Sequence, residues 1–542
     1  MINHIERRKF LVALGLGSSA LLAGCFNGDE NGEDTTTPGD DPYGGTLHVT
    51  TGTHPESINP LFHVDGAGYI VTHWTYSNLT LMVPTPDGNL ELVGDLATEW
   101  EANDDATQWT FSLRDDASFQ HDGTAVLAED VKATIDTIYD PDLDLPGLGE
   151  LGPIESVDVI NDQAVEVNLS SPDAEVPQRF GTMWGSILPK AVIDEDIEAP
   201  DTETYGSGPF DLVDRDLGTL VRVEANEDFY LIDENGNSLP YLDAVELHTV
   251  SEASTEVGML EGGEADITNE VRSRDFDRLV DNPAITALEV PSGNYDPIVM
   301  MPNHEPFASH PELMDAFKYA VDKQTMLDIV EDGHGILAQN HPVSPAHENF
   351  IEIEDPFGDE PMITEAETAM AEAGFEDGLD FSEYGPMYAP EEFVAAAPDI
   401  AVVFQENLEM IGVDFEIEVI SFDRFVDVVG NYPLYVNTYS MRPTELTSLF
   451  TIYHSNGGIN HGHFSPEHQS EMDSLIEAAQ AEADIDARRE KLEEALEFLV
   501  RHSAMIIPYF KNRYGAHLDR VQNYDIDPTA TSIRTETVWL DD

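Results

Sequence analysis

The sequence has one cysteine, Cys25, among 542 residues, so no disulfide can form within the chain. Lysine is also scarce: seven of 24 basic residues, against 107 aspartates and glutamates and a formal net charge of −83. A surface this negative repels nucleic acid and anionic membranes, which excludes both as partners held by charge. Long apolar runs are missing as well. The longest, residues 11–23, is broken by Gly15, Gly17, Ser18 and Ser19 and falls short of the about 20 apolar residues that a membrane-spanning helix needs. There is no Gly-x-x-x-x-Gly-Lys-Ser/Thr phosphate loop, no Gly-x-Ser-x-Gly elbow and no His-Glu-x-x-His motif. The sequence therefore gives no support to ATP hydrolysis or to the hydrolases built on those motifs. Close carboxylate pairs are inevitable among so many acids and carry no argument for a glycosidase.

With 41% hydrophobic residues the chain can bury a large core, and its acids are scattered among apolar segments rather than gathered in a tail. It reads as folded rather than disordered. By length it spans about three or four domain-sized units. The acidic excess resembles that of proteins from extreme halophiles, whose surroundings screen self-repulsion. The start of the chain is the most legible stretch. Arg7-Arg8-Lys9 precedes the short apolar run, which ends in Leu21-Leu22-Ala23-Gly24-Cys25. Residues 1–25 read as an export signal with twin arginines and a lipobox, whose cysteine takes a diacylglyceryl group and becomes the new N-terminus. Residues 26–42, rich in Asn, Gly, Asp, Glu, Thr and Pro, read as a flexible acidic tether.

Strands and helices alternate through the remainder, with no repeat period. Residues 44–50 and 109–113 read as strands, and residues 154–160 and 165–169 flank the turn signal Asn161-Asp162. Ser309 with Glu312, and Thr364 with Glu367, fit capping boxes. Leu313, Phe317, Ala320 and Val321 form a helical stripe, and Gly374 fits a helix stop. Residues 400–411 read as a helix ended by Gly412, with a strand over 413–420. Ser465-Pro466 opens another helix, and Leu492, Ala495, Leu496 and Leu499 stripe the next. Residues 506–510 read as a final strand returning to an earlier sheet. The pattern fits two α/β lobes.

Colinear blocks then carry a resemblance. Gly45-Thr46-Leu47, Ser57-Ile58-Asn59-Pro60-Leu61, Leu96-Ala97-Thr98-Glu99-Trp100, Trp109-Thr110-Phe111 and Asp122-Gly123-Thr124 come first. Gly206-Ser207-Gly208-Pro209-Phe210, Pro240-Tyr241-Leu242-Asp243, Tyr319-Ala320-Val321-Asp322-Lys323 and Ala371-Glu372-Ala373-Gly374-Phe375 follow in order. From Gly44 to about Tyr524 the chain resembles the family 5 extracellular solute-binding proteins of the dipeptide and oligopeptide type. The resemblance implies a two-lobed α/β fold like that of periplasmic binding proteins, with lobe I over 43–290, an extra subdomain at about 81–194, lobe II over 291–505, and 506–542 returning to lobe I. It implies a receptor, not an enzyme, that closes over its ligand and delivers it to the permease and ATPase of an ABC importer. Such a receptor would be a monomer held at the extracellular face of the cell membrane by its lipid alone. The family scaffold takes peptides, nickel chelates, opines or oligosaccharides; a peptide-like ligand is the reading favoured here. A secreted hydrolase is the alternative from another class.

The resemblance also places Tyr439-Ser440-Met441-Arg442-Pro443-Thr444-Glu445 along the ligand cleft. Peptide binders often hold an acid where Arg442 stands, and Glu445 is the nearest carboxylate. An arginine fork suits a ligand carboxylate, with pairing to a surface acid as the alternative. Tyr439 suits stacking on a ligand, His54 lies in the first cleft-facing loop, and Trp184 lies near the end of the subdomain. The motif His461-Gly462-His463 beside His454 reads as solvated loop rather than metal ligands, and Asp233-Glu234-Asn235-Gly236-Asn237 reads as a turn, so no cofactor and no metal is expected. The charge excess gives a direct test. From 1 M to 0.01 M salt the screening length grows from about 3 Å to about 30 Å, so the melting temperature followed by circular dichroism should fall steeply. Unchanged melting in low salt would contradict the high-salt reading.

Overall fold

The computed structural model describes residues 42–85, 88–529 and 532–541. The export-signal stretch, Cys25 and residues 26–41 of the tether lie outside the described residues. Two sheets organise the remainder. The first has seven strands in the order Ile285–Pro291, Asn512–Leu518, Ile267–Thr268, Thr46–Thr51, Ala244–Thr249, Leu220–Ala225 and Phe210–Asp216. Thr46–Thr51 runs parallel to both its neighbours, and the other pairs are antiparallel. Period-two alternation sets the faces: Leu47 and Val49 are buried, beside Val245 and Leu247 in the register, and His48 turns to the other side. Gly206 and Gly208 let the loop before Phe210–Asp216 press on the end of helix Gly66–Thr75. A Cβ on Gly206 would lie 1.9 Å from the Thr75 carbonyl oxygen.

Within this lobe sits a four-stranded antiparallel sheet, ordered Ala97–Ala102, Gln108–Leu113, Ala164–Leu169, Ile154–Asn161. Trp109, Phe111 and Leu113 alternate inward, and Phe111, Val165 and Val167 share a core with Val131 and Ile135 of helix Ala128–Ile138. The second large sheet has five strands, ordered Ile417–Val419, Met387–Ala389, Leu434–Val436, Ile298–Met300, Met505–Ile506. Leu313, Phe317 and Ala320 of helix Glu312–Ala320 bury against Phe404 of helix Ala397–Glu409 in the same core. Gly374 and Gly412 take φ of 87° and 75° just past helix ends, the left-handed conformation that stops a helix at little steric cost. Ser465 caps Pro466–Gln480 by accepting from the His468 amide.

Several local expectations fail for identifiable reasons. Ser309 donates its hydroxyl to Glu305 Oε1 at 2.6 Å, and Pro311 stands at the start of Glu312–Ala320 instead; proline lacks an N–H and its fixed φ suits a helix start. Thr364 lies inside helix Ile363–Glu372, whose cap is Met362. The strand over 413–420 is split, Val413–Asp414 pairing with Leu379–Asp380 and Ile417–Val419 with Met387–Ala389. Residues 506–510 do not return to the first sheet. Met505–Ile506 pairs with the strand Ile298–Met300 and Tyr509–Phe510 with Ile336–Leu337, and Ile506 is buried in the core of the second lobe. The returning strand is Asn512–Leu518.

Among the described residues the chain thus crosses between the lobes twice, after Pro291 and again at Lys511. The crossings are tied together: the Lys511 amide donates to Asn294 O at 2.8 Å, and its Nζ reaches both Asp296 oxygens at 2.8 and 3.0 Å. Across the cleft the lobes touch. Leu90 of the first packs on Ala346 and Met441 of the second, with Met82 alongside. The Ala174 amide donates to Gln480 O at 3.0 Å, Arg488 Nη1 donates to Ala174 O at 3.3 Å, and Thr444 donates its hydroxyl to Glu175 Oε2.

Burial, and then the charge of Glu445, push the Glu175 carboxyl up to about 7. The folded, closed protein therefore holds this proton more tightly than the unfolded chain, where a glutamate titrates at about 4.3. Above about pH 7 Glu175 is ionised in both states and its burial counts fully against folding; the penalty fades as pH falls toward 4.3. Glu175→Gln should stabilise the protein at pH 8 by up to about 3 kcal/mol and much less at pH 5, at constant high salt. Equal changes in melting temperature at the two pH values would contradict this.

Candidate functional site

Between the two lobes lies a cavity of about 110 Å³. The first lobe contributes Tyr69 from helix Gly66–Thr75, Asp527 and Ser532 from the C-terminal segment, and Arg179 and residues 181–184 from the subdomain. The second lobe contributes residues 441–444 and Thr447, from the loop after strand Leu434–Val436 and the start of helix Glu445–Tyr453. Thr444 caps that helix by accepting from Thr447 N, which holds the loop against the cleft.

Two guanidinium groups reach this cavity, and their situations differ. Arg179 is 9% exposed and its Nε donates to Asp173 Oδ2 at 2.8 Å. Burial alone would lower its pKa, but the neighbouring carboxylates of Asp173 and Glu175 together outweigh burial and raise it. Arg442, half-buried, makes no side-chain hydrogen bond or ion pair with any described residue. The opposing wall carries Asp527, whose carboxylate accepts from the amides and hydroxyls of Thr529 and Ser532 at 2.7–2.8 Å. An aromatic stack forms another side: His63 lies between Tyr69 and Trp184, with interplanar angles of 12° and 10°. Burial lowers the His63 pKa to about 4, so the ring in the stack is neutral. Met82, Leu90 and Met441 supply apolar surface.

Of the residues selected from sequence, Arg442 and Trp184 line this one cavity. Tyr439 is outside its lining, buried at a backbone bridge to Tyr295 and accepting from Asn437 Nδ2 at 3.1 Å. Glu445 opens helix Glu445–Tyr453 and accepts from the Asn349 amide at 2.6 Å. His54 lies away from the lining with Nδ1 3.1 Å from Thr249 Oγ1, its pKa lowered by burial and then by Arg215. Cys25 is outside the described residues. His454 sits against Glu477 at 3.4 Å and buried His463 against Tyr439 and Tyr453, and the two do not converge on one point with His461. Asp233 accepts from the amides of Asn235 and Asn237, forming the expected turn. Tyr69, Arg179 and Asp527 escaped sequence reasoning because nothing in their own neighbourhoods marks them. Met441 had a signal, its position beside Arg442.

Residues 91–461 match the model of the bacterial extracellular solute-binding proteins, family 5 Middle. Across 99% of this chain and all of that protein, the sequence is 23% identical to the oligopeptide-binding protein AppA of Bacillus subtilis. The structure of AppA in complex with a nonapeptide superposes with a TM-score of 0.71 at 21% identity, covering 93% of this chain and 100% of that one. HbpA2 from Haemophilus parasuis superposes with a TM-score of 0.79 at 20% identity, covering 92% of this chain and 100% of that one. These likenesses share the two-lobed α/β fold, and no helix among the described residues is long and apolar enough to cross a membrane. With a family match over more than half its length, the chain belongs to the family 5 extracellular solute-binding proteins, which bind solutes for transport and are not enzymes.

Proposed function

We propose that this protein is the monomeric, lipid-anchored receptor of an ABC importer and that its interlobe cavity takes a peptide-like solute whose carboxylate meets Arg442. One observation carries this reading: in a chain of 107 acids, the Arg442 guanidinium lines the cavity between the lobes without a carboxylate of its own among the described residues. A planar fork of donors in that setting suits a ligand carboxylate held bidentately. Asp527 on the opposite wall adds the contrary charge that a zwitterion needs, and Trp184, Tyr69 and Met82 offer surface to ligand side chains. The likeness to a protein named for oligopeptide binding supports the same class of solute. The chain has no phosphate loop, so the importer's ATPase must drive transport and a separate permease must carry the solute.

The anchor in this reading is Cys25, at the end of the lipobox sequence, with residues 26–42 as the tether and twin arginines directing export. A strongly saline exterior accounts for the acidic surface. In detergent partitioning, wild type should follow the detergent phase and Cys25→Ala the aqueous phase; identical partitioning contradicts the anchor. The cavity is tested by calorimetric titration of Arg442→Ala with the ligand that co-purifies with wild type. Leaving a ligand carboxylate unpaired in a dry site costs about 2–5 kcal/mol, or roughly 30-fold to several thousand-fold in affinity. Unchanged affinity in a folded variant would remove Arg442 from the site.

A further inference from the structure

Away from the cleft, on the outer face of the first-lobe sheet, three side chains bring ligand atoms to one point. His48 lies beside Glu246 in the parallel pairing of Thr46–Thr51 with Ala244–Thr249, and strand periodicity puts His248 on the same face as Glu246. His48 Nδ1 and His248 Nε2 are 3.3 Å apart, and each lies 3.2 Å from the same Glu246 oxygen, Oε2. A tetrahedral site with bonds of about 2.0–2.1 Å has ligand-to-ligand edges of about 3.3–3.4 Å. The three atoms therefore have nearly the size of one face of a zinc coordination shell.

The surroundings suit that use. Glu246 Oε1 accepts from Arg222 Nη1 at 2.5 Å, which turns Oε2 toward the two imidazoles, the outer-shell arrangement that orients ligating carboxylates. The side chains are 34%, 16% and 27% exposed for His48, Glu246 and His248, so the three-atom cluster is partly open to solvent. None of the three lines the interlobe cavity. The motif Glu246-Leu247-His248 shows two of the ligands in sequence, but the third comes from a strand about 200 residues away.

We propose that His48, Glu246 and His248 form a site for a divalent transition-metal cation of the zinc class, with a fourth position for water or an incoming donor. The two imidazole ligands select this class over calcium and magnesium. The ion would cross-link Thr46–Thr51, the first strand after the tether, to Ala244–Thr249, and bind the middle of the first sheet together. This site is independent of the solute cavity and of the ligand proposed there. Without an ion, the same cluster would simply have both imidazole N–H groups donating to one carboxylate oxygen.

The test uses the full chain, stripped with chelator and held in concentrated KCl so that diffuse cation binding to the acidic surface is suppressed. Titration with Zn²⁺ should saturate at one equivalent and raise the melting temperature. Co²⁺ in its place should give the visible absorption of a four-coordinate site with nitrogen ligands. His48→Gln and His248→Gln, each confirmed folded by circular dichroism, should each lose stoichiometric binding, whereas His461→Gln should retain it. The absence of stoichiometric Zn²⁺ binding in wild type, an octahedral Co²⁺ spectrum, or binding that survives both histidine substitutions would overturn the proposal.

Discussion

The rest of the structure depends on the paired crossing between the lobes. The chain enters the second lobe after Pro291 and leaves it at Lys511, and the Lys511–Asp296 pair ties the two passages side by side. Asp296 is only 2% exposed; a carboxylate that buried without its ammonium would be strongly destabilising, so the pair fixes where the crossings meet. Because, among the described residues, only these passages join two separately cored lobes, the cavity can have walls from both. The geometry suits a hinge, in which a few residues absorb the rotation and a ligand touching both lobes favours the closed arrangement.

Charge gives the cavity its character. On the surface the acids face water, where dissolved salt screens their repulsion of one another. At the cleft the charges are more nearly balanced: Glu150 and Asp527 share the cavity lining with Arg179 and Arg442, Arg179 pairs with Asp173, and Arg442 makes no ion pair with any described residue. Glu175 shows the converse, a carboxylate drawn into the lobe contact and held there by the Thr444 hydroxyl with its proton affinity raised. A few polar contacts and an apolar patch around Met441 join the lobes, which is a modest seal compared with either core.

What could be read from sequence divides along the range of the interactions. Trp109 to Leu113 alternates as a strand, Ser465 caps its helix, and Leu492, Ala495, Leu496 and Leu499 face inward, because period and caps are local. The capping boxes at Ser309 and Thr364 misled because a proline start and a shifted helix frame competed with them. Residues 506–510 misled because a short apolar run does not reveal which sheet it joins. At the cleft, the residues around Arg442 came from family likeness, and the alternation of a loop entering a helix then separated them. Arg442 faces the cavity; Tyr439 and Glu445, three residues to either side, turn into the lobe. Asp527, Tyr69 and the cluster of His48, Glu246 and His248 depend on contacts between distant segments, which no local pattern encodes.

The central claim is that the cavity between the lobes is a solute site organised by Arg442. The most direct measurement is a crystal structure grown in high salt from protein that retains its co-purified ligand. The account predicts electron density for a small carboxylate-bearing solute between Arg442, Asp527 and Trp184, with its carboxylate within hydrogen-bond distance of the Arg442 guanidinium. A ligand bound outside this cavity, or one seated in it with no anionic group at Arg442, would contradict the account.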